Sequence, residues 1–307
     1  MLTHDKLKVP SQEKTTKLRN AVVADLDAIN GFYRTEYGAE YPSFLTSTDL
    51  VRQDVIVRVA VSVGKIIGVL QAAPLKGAAG VYESKGLVVD RQYRGHGIGK
   101  LLLEEQLHIL RKRGARSVYA EPVCREAACR SQHNFLERGF SATGILPSKY
   151  PDELVGNQPE SVTMSALSLT GDVWGLRPTY LPKNYETVMQ KVLPKKTSVQ
   201  SVPRDAMPHV LAHAPEIAEG RYGSAFVEIP INWPKALDDI AKYQSLGYLF
   251  AGVLPGVHQT ALGKPYDVAV FYLPPKGIRI GFERINVTNT LMPLHTFMAA
   301  EYTQRYG

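Results

Sequence analysis

At 307 residues the chain is longer than one hydrophobic core usually organises, so two domains are expected; 44% hydrophobic and 21% charged residues exclude a disordered or low-complexity protein. No apolar run approaches the roughly 20 residues that cross a bilayer, and "MLTHDKLKVPSQEK" lacks the apolar segment of a signal peptide, so no membrane partner and a cytoplasmic location are expected. Lys and Arg number 36 against 29 Asp and Glu, a net charge of +7 that suits an anionic ligand or nucleic acid without choosing between them, and two cysteines exclude a disulfide framework.

After a polar leader, "LRNAVV" reads as a strand and "DLDAINGFYRTEYG" as a helix with Asp25 at its N-cap. "VIVRVAVSVGKIIGVLQAA" gives two β-branched runs joined at Gly64-Lys65, a hairpin signal. "YESKGLVVD" is the next strand, followed by a glycine-rich loop and a helix. Leu103, Leu107 and Leu110 mark the buried stripe of that helix, Leu102 and Ile109 widen it, and Gly114 stops it. The basic run from Arg111 to Arg116 sits at its C-terminus, where cations offset the helix dipole. "SVYAEPV", "REAACRSQHNFLERG", "FSATGIL" and "ESVTMSALSL" continue as strand, helix, strand and strand. This alternation indicates a mixed α/β sheet.

The second half repeats part of the first. "SVYAEPV…FLERGFSATGILPS" recurs as "SAFVEIPI…YQSLGYLFAGVLPG" at an offset of 108, matching Gly139 with Gly247, Phe140 with Tyr248, Gly144 with Gly252, Leu146 with Leu254 and Pro147 with Pro255. The expected domains are 15–170 and 171–307, with "GDVWGLRPTYLP" as linker. At the same offset the glycine loop falls on "VPRDAMPH", which has no glycine, so the second copy lacks whatever the loop provides.

That loop, "RGHGIGK", places Gly95, Gly97 and Gly99 between Arg94 and Lys100 at the start of a helix. Free N–H groups and the helix dipole make such a place an anion site, and glycines admit a phosphate to the backbone. A Walker loop would need Gly where Arg94 stands and Ser or Thr at Leu101; a dinucleotide fingerprint would need Gly at Lys100. Neither fits.

Arg-x-x-Gly-x-Gly directly after "LVV", with "GLVVDRQYRG" before it and "FLERGF" after it, resembles the GNAT superfamily of acyl-CoA-dependent N-acyltransferases over residues 17–170. The resemblance implies a mixed, mostly antiparallel GNAT-type α/β (α+β) sheet flanked by helices. With the repeat it implies a duplication into two GNAT-like domains, the C-terminal copy degenerate. It also implies that the loop amides of Arg94, Gly95, His96, Gly97, Ile98, Gly99 and Lys100 hold the diphosphate of acetyl-CoA or another acyl-CoA. Leu87, Val88 and Val89 would then offer backbone groups to the pantetheine and the acyl carbonyl, polarising the thioester as an oxyanion hole does. An amine attacks directly, and it needs a proton acceptor. Glu83 is the first candidate, since strand alternation over four residues puts it on the face of Leu87, and Glu121 on "YAEPV" is the second. Glu83 has an alternative reading as a solvated strand-end carboxylate, and Glu121 as a structural one.

Where GNAT enzymes often carry an acidic tyrosine, four residues before the Gly of "GF", this chain has Phe135; Tyr243 holds the equivalent place in the second copy and reads as core. Cys124, Cys129 and His133 lack a fourth partner and zinc spacing, so no metal is expected. Arg125 or Arg130 could meet the 3′-phosphate of CoA. The acceptor is expected to be a small-molecule amine. Two rivals stay open: transfer of an aminoacyl group from tRNA, which the positive charge would suit, and a non-catalytic CoA-binding module.

Overall fold

The computed structural model describes residues 16–38, 44–125, 128–150, 159–170, 179–193, 206–214, 217–218 and 221–307. They form two compact units, Met1–Pro74 with Tyr82–Ala115, and Leu75–Val81 with Arg116–Gly307. No helix among the described residues is long and apolar enough to cross a membrane.

The first unit runs β1 (Lys17–Asn20), α1 (Leu26–Tyr37), α2 (Ser47–Val51), β2 (Ile56–Ser62), β3 (Lys65–Pro74), β4 (Val81–Val89) and α3 (Ile98–Lys112). Its strands lie in the order β1-β2-β3-β4, each pair antiparallel. The β2–β3 turn is Val63-Gly64, with φ of 50° and 76°, one residue earlier than expected because both central residues of this tight turn need positive φ. Asp25 stands at the head of α1 without capping it. Its carboxylate instead accepts from Arg19 at 2.6 and 2.8 Å and from the Val22 amide. Ile29 and Tyr33 of α1 pack with Val57, Val59, Val69 and Val88 into one core.

On α3 the buried stripe is Ile98, Leu102, Leu103, Gln106, Leu107 and Leu110; Gln106 takes the place expected of Ile109 because the Ser84 hydroxyl donates to its buried carbonyl at 2.7 Å. Gly114, at φ 71°, ends the helix, with the Ala115 amide donating to the Leu110 carbonyl and its own amide to Arg111.

Strand β4 carries a bulge. Val88 faces Val69 and Lys85 faces Gln71, so one residue of β3, Leu70, opposes two of β4, Gly86 and Leu87, with Gly86 at φ 63°. A Cβ on Gly86 would lie 2.6 Å from the Tyr33 hydroxyl.

The second unit runs β5 (Ser117–Ala120), α4 (Arg130–Leu136), β6 (Ser141–Tyr150), β7 (Glu160–Ser168), α5 (Lys183–Val192), β8 (Leu211–His213), β9 (Ile217–Ala218), β10 (Arg221–Tyr222), β11 (Ala225–Pro230), α6 (Ala236–Ser245), β12 (Leu249–Gln259), β13 (Pro265–Leu273) and α7 (Met292–Tyr306). Apart from the small β9–β10 pair, the strands follow the order β5-β7-β6-β12-β13-β11-β8, all antiparallel. From β5 to β11 that order is a palindrome under the sequence repeat: β5 answers β11, β7 answers β13, β6 answers β12.

At its centre Gly144 faces Gly252, the same position of the two copies. A Cβ on Gly144 would come within 2.7 Å of the Ala251 carbonyl, and one on Gly252 within 2.5 Å of the Gly144 Cα. Both positions need glycine because two backbones touch here. The duplicated pattern covers strand, helix, strand and strand. Ahead of it, residues 206–210, on the repeat offset of the start of α3, are irregular and lead into β8, and Ser201–Asp205 lie outside the described residues, as does most of the expected linker.

Candidate functional site

Beyond β4 the chain makes a 3-10 turn over Arg91–Tyr93. The Asp90 carboxylate accepts from the Gln92 amide at 3.0 Å, and the Asp90 carbonyl from Tyr93 at 2.8 Å. The Arg94 amide closes onto the Arg91 carbonyl at 3.4 Å. Its guanidinium donates to the Val89 carbonyl at 2.9 Å and to Glu36 of α1 at 2.7 Å. Arg94 is therefore a strap that pins the loop to β4 and α1. The donors available to a ligand begin one residue later than expected.

Gly95 and Gly97 hold φ of 82° and 78°, the left-handed region, which turns their neighbouring amides outward. From Gly95 through Lys100, among the described residues, no backbone N–H has a hydrogen-bond acceptor; the first intrahelical bond of α3 is Leu101 N–H to the Gly97 carbonyl at 3.0 Å. Gly95, Gly97 and Lys100 are exposed. Ile98 alone is driven inward, 3% exposed, and fixes the loop by packing with Leu102 over Gly68. Six adjacent donors stand at the positive end of a 15-residue helix, with Lys100 at their edge. A diphosphate, with several anionic oxygens and no donor of its own, fits that set.

Along Leu87–Val89 the Leu87 carbonyl accepts from Tyr37 at 3.3 Å and the Val89 carbonyl from Arg94. Glu83 pairs with Lys85 at 2.9 Å. The bulge overturns its expected orientation. Glu83 faces Ala73, Val88 faces Val69, and Val69–Ala73 is an uninterrupted stretch, so Glu83 shares the face of Val88 rather than Leu87.

Glu121 follows β5 and belongs to a closed polar cluster of the second unit. Its carboxylate accepts from Lys149 at 2.6 and 2.5 Å, from the Tyr119 hydroxyl at 2.7 Å and from Tyr150 at 3.3 Å. Burial pushes this carboxyl up, but the Lys149 ammonium and the two hydroxyls outweigh it and hold it below its usual range. A carboxylate so occupied is a poor proton acceptor.

Phe135 is 4% exposed and packs edge-on against Phe140 at 5.0 Å. Tyr243 is partly buried against Tyr248 at 5.3 Å, as a core residue should be. Cys124 and Cys129 are buried, and burial pushes the Cys124 thiol well up. Among the described residues no three His, Cys, Asp or Glu side chains gather as a metal site would require. Arg125 pairs with Glu160.

A second polar cluster went unread in the sequence. Glu228 of β11 bridges His213 at 3.0 Å on the adjacent strand β8 and His258 at 2.5 Å on β12, which lies one strand further away, across β13. Burial pushes Glu228 up, yet the two imidazoles bring it down to about 2.

Residues 25–140 match the model of the acetyltransferase (GNAT) family. No curated protein matches the sequence. Solved structures similar to it include the ribosomal-protein-S18-alanine N-acetyltransferase of Escherichia coli, 18% identical over 50% of this chain and 94% of that one, TM-score 0.42. The ribosomal-protein-alanine N-acetyltransferase of Brucella melitensis is 22% identical over 50% and 99%, TM-score 0.41. A putative acetyltransferase, yncA, of Salmonella typhimurium, solved with acetyl-CoA, is 21% identical over 50% and 94%, TM-score 0.42.

Proposed function

We propose that this chain moves an acetyl group from acetyl-CoA to an amine of a small-molecule acceptor by direct attack. The observation that carries the reading is the run of six unclaimed amides, Gly95 to Lys100, at the head of α3. They hold the diphosphate, while Lys100 adds charge and Ile98 keeps the loop in place. Acetyl-CoA, when bound, supplies an activated thioester. Leu87–Val89 align it through their backbone, and Glu83, held by Lys85, takes the proton that the acceptor ammonium must lose. With Phe135 in place of a hydroxyl, no side chain is assigned to protonate the departing thiolate.

Calorimetric titration with acetyl-CoA tests the loop. Wild type should bind saturably, and Gly97→Val, which forces a β-branched residue to φ 78°, should lose affinity at least about a hundredfold. Equal affinity would end the assignment. In thiol-release assays over a panel of amines, Glu83→Gln should lower kcat by about 10²-fold or more and remove the acidic limb of the pH profile, leaving acetyl-CoA affinity intact. A profile of unchanged shape takes Glu83 out of the reaction.

A further inference from the structure

The second unit carries an open pocket of about 320 Å³, at the lower end of the size range for small-molecule sites. Its wall brings Arg125 and Glu160 beside Arg279 and Arg284 from the segment after β13, where Ile280 follows the first cation and Ile285 the second. The charges do not cancel. Arg125 has Glu160 as its ion partner. Arg284 stands 3.6 Å from Glu283, but both are more than 60% exposed, so water screens their attraction. Arg279 has no ion pair among the described residues.

A concave site with surplus guanidinium charge selects an anion, because the planar fork matches the oxygens of a carboxylate or phosphate. Ile280 and Ile285, 3% and 7% exposed, also line it at the edge of the core. None of the lining residues belongs to the loop from Gly95 to Lys100.

We propose that this pocket binds a small organic anion, with one carboxylate or phosphate held by Arg279 and Arg284 and a compact apolar body against the isoleucines. The proposal is independent of acetyl-CoA binding.

The full chain is titrated calorimetrically with benzoate, phenyl phosphate and the uncharged benzamide. One or both acids should bind saturably and benzamide should not. Benzoate as the tighter ligand assigns the site to carboxylates, phenyl phosphate to phosphate esters. Arg279→Ala with Arg284→Ala should weaken the acid at least about tenfold and leave the acetyl-CoA isotherm and the melting temperature unchanged. A check on wild type needs no variant: raising KCl should weaken the acid, since exposed charges are screened. Absence of binding by both acids, equal binding of benzamide, salt-independent binding, or full affinity in the double variant would each overturn the proposal. Because acetyl-CoA is titrated alongside, failure here is distinguishable from failure of the loop.

Discussion

Arg94 spends every contact on the protein. By position it reads as a phosphate cation, yet its guanidinium reaches back to Val89 and Glu36 while its amide closes a turn. Its work is to hold six neighbouring amides in register, and register matters because a donor displaced by an ångström no longer meets its oxygen. Arg94→Ala should therefore weaken acetyl-CoA without removing a ligand contact, by about 1–2 kcal/mol. Glu36→Gln, which keeps the shape and loses the charge, should weaken it by a part of that. If the strap is the mechanism, the double variant costs little more than Arg94→Ala alone; fully additive losses in the titration would show that the two residues act separately. Glu83 teaches the converse lesson. Four residues along an even strand return a side chain to the same face, but Gly86 inserts a residue, and Glu83 turns to the side of Val88.

Elements whose identity rests on local chemistry were legible in the sequence. The hairpin, the α3 stripe, the stop at Gly114 and the exposed loop each follow from glycines and apolar spacing within about a dozen residues. What depended on distant partners was not legible. The bulge in β4 shows only in its register with β3, the closure of Glu121 by Lys149 spans 28 positions, and the Glu228 cluster joins three strands. The repeat lies between these cases: its glycines were visible, their reason was not. Gly144 and Gly252 meet where β6 and β12 cross, and Gly252 also holds φ 137°. Gly252→Ala should destabilise the protein by about 2–4 kcal/mol in urea denaturation, because the new Cβ strikes backbone at 2.5 Å that cannot rotate away. Gly263→Ala isolates the conformational part. At φ 75° its Cβ meets nothing within 4 Å, so it should cost about 1 kcal/mol. Similar losses from the two would mean that the backbones of β6 and β12 do not meet at these glycines.

For the molecule as a whole, the ionisable clusters set how stability follows pH. Glu228, brought to about 2, and the carboxyls of Asp25 and Glu121, held low by Arg19 and Lys149, all titrate below their unfolded values. Their stabilisation is in force above pH about 4.3 and disappears as pH falls through the folded values. His213 moves the other way. The hydrogen bond to Glu228 raises it, so its contribution is complete below pH about 6.5 and declines as pH climbs through the higher folded value. Glu301, raised by burial, opposes the other carboxyls, being favourable only while protonated. The terms agree best between pH about 4.5 and 6.5, where thermal stability should peak. Half the His213 side chain is solvated, so its share is small. His213→Gln should flatten the fall in melting temperature between pH about 6 and 8 and leave the acid limb, carried by carboxylates, steeper than the alkaline one. A wild-type curve rising from pH 6 to 8, or an alkaline fall unaltered by the substitution, would mean that Glu228 draws its low value from His258 alone.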